Sequence, residues 1–116
     1  MQIFSANLVP RFGYFSTGDI VVTGGRGSEN EVWMKLVSSQ WTRKKDMPEG
    51  RKGHAAAAVN VGGQEVVVVA GGWGVGGKEL ASTSMYKPYE DTWVNLPNML
   101  APRVDFVLQV NSLIKT

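Results

Sequence analysis

No cysteine occurs among the 116 residues, which removes disulfides, thiolate nucleophiles and sulfur-ligated metals together. The single histidine, His54, has no Ser-His-Asp or Cys-His constellation around it, so neither a catalytic triad nor a dedicated transition-metal site is expected. No apolar run approaches the ~18 residues that a membrane span needs. The first ten residues, MQIFSANLVP, lack both a positive start and a sustained apolar stretch, so no secretory signal is read there. The compartment expected on that ground is the cytoplasm. Charge of one sign is also scarce: the formal net charge is +2, and basic residues scatter apart from Arg43, Lys44, Lys45, Arg51 and Lys52. That cluster reads as a solvated strand edge and loop, not as a phosphate-tracking surface, so nucleic acid is not an expected partner.

What the chain does have is an internal repeat. Trp41, Met47 and Arg51 return as Trp93, Met99 and Arg103, each 52 positions further on. Each copy follows an apolar run that closes on two glycines, IVVTGG with Gly24 and Gly25, then VVVVAGG with Gly71 and Gly72. A period near fifty with a double glycine and a later tryptophan belongs to radial β architectures, in which one repeat makes one four-stranded blade. The expected fold class is all-β, a partial β-propeller of two four-stranded antiparallel blades plus the start of a third. Residues 1–10 are assigned to an extension or the start of a fragment, and 11–50 to an irregular first blade. Residues 51–102 form the second blade, and 103–116 begin a truncated third.

In the second unit the strands are read at 53–61, 65–72, 82–87 and 92–96, with turns at Gly62-Gly63-Gln64 and at Pro88 to Asp91. Four consecutive valines, Val66 to Val69, suit a strand covered on both faces. Four alanines, Ala55 to Ala58, suit an innermost strand where blades converge. Trp41 and Trp93 are expected to fold from outer strands toward a neighbouring blade, as structural core. Open strand edges lead to an expectation of poor solubility or self-association.

The segment from Tyr86 through Trp93 to Met99 and Arg103, behind the double glycine, resembles the kelch repeat, with Arg51, Gly53, His54, Gly71, Gly72, Tyr86, Trp93 and Met99 in place. In the first unit, counting back from Trp41 puts Met34 at the aromatic position. The resemblance implies a β-propeller for protein–protein interaction, not an enzyme, with no cofactor. It further implies a substrate-recruiting part of a cullin-type ubiquitin-ligase adaptor, or an actin-binding protein. Copper oxidases such as galactose oxidase are also kelch relatives, but their metal and cross-linked cofactor chemistry requires residues this chain lacks.

Binding residues in such propellers lie on the loops between second and third strands and between blades, here 26–30, 73–78, 46–50 and 98–101. Arg26, Asn30, Arg51, Trp73, Lys78 and Arg103 are the expected contacts with an unidentified protein, and Trp73 is the leading anchor. For Arg51 and Arg103, pairing with acidic groups and capping of the inner strand stay open. Gly24, Gly25, Trp41, Gly71, Gly72, Tyr86 and Trp93 are the expected structural repeat positions. A nucleotide-binding alternative rests on residues 71–78, where Gly72 to Lys78 satisfies G-x-x-x-x-G-K. It lacks the following Ser or Thr, because Glu79 stands there.

Overall fold

The structure, a computed structural model, describes residues 3–4, 11–14 and 18–104, with side chains placed from residue 18 onward. Nine strands form two sheets, and no helix occurs among the described residues. The first sheet contains β1 (Ile3–Phe4), β2 (Arg11–Tyr14), β3 (Ile20–Thr23), β4 (Val32–Lys35) and β5 (Trp41–Arg43). The second has the order β6 (Ala55–Val61), β7 (Gln64–Ala70), β8 (Thr83–Lys87), β9 (Thr92–Leu96), every neighbour antiparallel. This is the expected all-β architecture, and the second sheet is the expected four-stranded antiparallel blade, whereas the first carries a fifth strand, β1, antiparallel to β2 and parallel to β3. The proposed third-blade strand beyond Val104 lies outside the described residues.

The valine run explains why β7 is a middle strand. Val67 and Val69 face the first sheet in a core shared with Val21, Val32, Met34, Met47 and Tyr86. Val66 and Val68 point the other way and pack with Val59, Met85 and Leu96. A side-chain period of two therefore buries all four valines. The alanines pair along β7, Ala56 opposite Val69 and Ala58 opposite Val67, so the expected strand forms despite alanine's preference for helices. The β6–β7 turn is closed by Gly63 N–H donating to Asn60 Oδ1 at 3.0 Å.

Register corrects one assignment. Tyr86 lies opposite both Val67 and Trp93, whereas Trp41 lies opposite Lys35, which is itself opposite Ile20. Lys35, not Met34, holds the aromatic position in the first blade. The β4–β5 connection is one residue shorter than that between β8 and β9, and a one-residue slip moves a side chain to the opposite face. Met34 consequently points into the core between the sheets.

Candidate functional site

Four backbone hydrogen bonds occur twice and build the same scaffold in each blade. Gly24 N–H to Glu31 O is repeated as Gly71 to Ser82, and Gly25 to Arg51 O as Gly72 to Arg103. Met47 N–H to Asn30 O returns as Met99 to Ala81, and Arg51 to Glu29 O as Arg103 to Leu80. The loop after the double glycine is thereby tied to the chain leading into the next blade. The double glycines permit this approach: Gly24 has φ +61° and Gly72 +89°, and a Cβ at Gly72 would lie 2.6 Å from the Lys52 carbonyl oxygen.

The loop of the second blade is the longer one, running from Gly72 to Ala81 where the first runs from Gly25 to Asn30. Its extra residues are pinned by backbone hydrogen bonds. Trp73 and Lys52 exchange both backbone hydrogen bonds, at 2.8 and 3.0 Å, and Gly74 N–H donates to Lys78 O at 2.7 Å. The N–H groups of Gly74 and Gly77 are thus satisfied within the loop, and strand β8 follows where a phosphate loop requires a helix. This removes the structural basis of the nucleotide reading.

The expected contact residues separate into two kinds. Arg26, Lys78 and Arg103 are exposed, as is Asn30, whose Nδ2 donates to Asp46 Oδ2 at 3.1 Å. Trp73 is half-buried, and Val75 at the loop tip is 83% exposed. Arg51 instead lies inside, 1% exposed, which corrects its assignment as a contact. Its Nη1 donates to the carbonyls of Gly71 (3.0 Å) and Ser82 (2.9 Å), and Nη2 to Ser82 Oγ (3.0 Å). Burial lowers its pKa from the usual arginine value, opposed by the Glu49 carboxylate. Arg51 is a clasp joining the entry to β6 with both ends of the long loop. His54 is also internal, its Nε2 2.9 Å from Thr23 Oγ1 across the two blades.

A second set of contacts locks one blade on the other. Trp93 packs on Tyr86 with ring centroids 4.8 Å apart, and its indole N–H donates to the Lys45 carbonyl at 3.0 Å. Tyr86 O–H and Lys45 N–H both donate to Asp91 Oδ1, at 2.6 and 2.9 Å. Burial works to raise the Asp91 pKa, but these hydrogen bonds and the positive Lys44 and Lys45 outweigh it and hold the carboxyl below its usual range. Burial, with the nearby Asp91, pushes the Tyr86 phenol up. Trp41, by contrast, is 42% exposed, and its indole N–H donates to no group among the described residues.

Beside the clasp opens a cleft of about 350 Å³ between the two blades. It is lined by Pro48 and Glu49 from the first blade's exit and by Ser82, Thr83, Ser84, Asn95, Leu96 and Asn98 from the second. Sequence reading placed 46–50 and 98–101 in the loop set but missed the strand residues. Their only signal is polarity, Ser-Thr-Ser followed by Asn95 and Asn98, in a stretch otherwise read for core.

Residues 50–100 match the kelch motif, and the chain therefore carries a kelch repeat. It is 30% identical over 89 residues to galactose oxidase of Gibberella zeae, which covers 77% of this chain and 13% of that protein. It is 35% identical over 69 residues to beta-scruin of Limulus polyphemus, 60% of this chain and 7% of that one. Its fold resembles that of a fungal alcohol oxidase of the AA5 family, solved in complex with copper. The TM-score is 0.56 with 24% identity, covering 73% of this chain and 18% of the oxidase. The chain thus spans a small part of the proteins it matches. Two of these matches are oxidases, which overturns the expectation that set the chain apart from enzymes.

Proposed function

We propose that this chain, with its kelch repeat, is a two-blade sector of a β-propeller that binds a protein partner through its loop end. The carrying observation is the duplicated set of four backbone hydrogen bonds. It holds loops 26–30, 46–50, 73–78 and 98–101 on a rigid frame while Arg26, Val75, Lys78 and Arg103 stay exposed. Recognition groups on loops fixed by a scaffold bind with little ordering cost. Partner contact through Val75 and Lys78 is tested by selecting displayed peptides against the chain. Selected peptides should lose affinity about tenfold or more for Val75→Asp/Lys78→Glu, with the melting temperature unchanged; undiminished binding refutes the loop-end reading. The finer reading, recruitment of a substrate protein to a cullin-type ubiquitin ligase in the cytoplasm, rests on the kelch repeat alone. It predicts that a selected partner co-purifies with cullin machinery when the chain is expressed in cells.

A second reading is favoured by the 30% identity to galactose oxidase: the chain is a propeller sector of an oxidase-type protein. Its own donors do not fit copper. The sequence has one histidine and no cysteine. That histidine is 2% exposed against Thr23, and among the described residues no group of three or more His, Cys, Asp or Glu is placed so that it could hold a metal ion. In this reading the sector contributes packing and loops, and the residues that handle metal lie elsewhere.

A further inference from the structure

The face that the second blade presses on the first is repeated on the far side of the first blade, where it stays open. Val67, Tyr86 and Trp93 stand in one row across β7, β8 and β9 and pack with Val21, Met34 and Met47 of the other sheet. Ile20, Lys35 and Trp41 form the same row across β3, β4 and β5. Trp41 is 42% exposed, and Trp33, on the same face of β4, is 36% exposed. The stem of Lys35 supplies apolar surface where Tyr86 has its ring, while its charge stays at the rim.

The surface that receives those rings is repeated as well. Met34, opposite Val21, has its counterpart in Met85, opposite Val68. Met47 has its counterpart in Met99, 52 positions on and held by the same backbone hydrogen bond. Both counterparts are half-buried. Lys45, whose carbonyl accepts from the Trp93 indole, corresponds to the exposed Pro97, and Pro48 corresponds to the fully exposed Leu100. Charge agrees on the two sides. Asp91 of the second blade meets Lys44 and Lys45 of the first. At the 52-residue offset stand Ser39 on the offered face and Leu96 and Pro97 on the receiving one. The acid and the bases are lost together, so closing these surfaces leaves no member of the lock buried without its partner. The offered and receiving faces lie on opposite flanks of one chain, so a chain cannot join its own, but two copies can.

We propose that a second copy of this chain covers the Trp41 face. Its Met85 and Met99 receive Trp41, and its Pro97 carbonyl accepts the indole N–H. Its Leu100 meets Trp33, as Pro48 and Ser84 share the interblade cleft within one chain. The contact joins two different surfaces, and repeating the step that relates the two blades of one chain closes a ring. At about four to eight blades per propeller, the ring holds about two to four chains. The proposal goes beyond the loop-end reading and does not depend on it, because Val75 and Lys78 take no part.

Sedimentation equilibrium of the native chain tests it. The mass should equal one chain of 12.6 kDa when dilute and rise with concentration to a plateau at about two to four chains. Trp41→Glu and, separately, Leu100→Glu should each weaken association about tenfold or more, with the melting temperature of the dilute chain nearly unchanged. Trp41→Phe should still associate, and Met99→Glu gives a second variant of the receiving face with the same expected loss. An equimolar mixture of Trp41→Glu and Leu100→Glu chains keeps one intact contact and should give a dimer and nothing larger. A native chain that stays monomeric at every concentration, growth without a plateau, a folded charged variant that associates like the native chain, or a mixture that stays monomeric overturns the proposal.

Discussion

The two blades share a hydrogen-bonded scaffold and differ in what they do with their tryptophan. Trp93 packs on Tyr86 and donates to Lys45 of the other blade, while Trp41 sits opposite Lys35 and stays 42% exposed. The repeat therefore specifies where the tryptophan stands but not whether it is buried. Burial depends on the residue opposite and on a sheet to pack against. An aromatic at Tyr86 supplies the first in the second blade, and the β3–β4 face of the first blade supplies the second.

The largest expected effects lie at these tryptophans. Trp93→Ala should lower unfolding free energy by about 3–5 kcal/mol in urea titrations, and Trp41→Ala by less than about 1 kcal/mol. Equal losses would break the comparison. Next are the two repeated arginines. Arg51→Met takes the side-chain donor from the Gly71 carbonyl and one of two donors from the Ser82 carbonyl, and should cost about 3 kcal/mol. Arg103→Met, at an exposed side chain, should stay within about 0.5 kcal/mol by the same titration.

Asp91 sharpens the contrast through pH, since the first blade has Ser39 at the 52-residue offset. A carboxylate with a depressed folded pKa adds stability that is complete above the ordinary carboxylate range and is lost as pH falls through its folded value. Thermal midpoints of the native chain should therefore fall on the acid side, and Asp91→Asn should flatten that limb while costing about 1 kcal/mol near neutrality. An acid limb unchanged in Asp91→Asn would remove Asp91 from the lock. The smallest effect belongs to Val75→Ser, within about 0.5 kcal/mol, because the loop is fixed by its backbone and not by this side chain.

The second blade was legible because its valine run, its double glycine and its tryptophan each answer to a local rule. Strands read at 53–61, 65–72, 82–87 and 92–96 appear at 55–61, 64–70, 83–87 and 92–96. Met34 was misplaced because counting residues cannot detect a connection one residue shorter. Arg51 was ambiguous because an arginine that bonds carbonyls and one that meets a partner look alike in sequence; only the backbone path of 71–82 decides. The cleft was hidden for a related reason, since Ser84 and Asn95 occupy strand positions and are brought beside Glu49 of the other blade only by the fold.

That the two blades form one packed unit is tested most directly by nuclear Overhauser contacts between the rings of Tyr86 and Trp93 and the methyl groups of Val21, Met34 and Met47. The structure predicts such contacts, because all five residues belong to one core. Rings that show contacts only within their own sheet would contradict it.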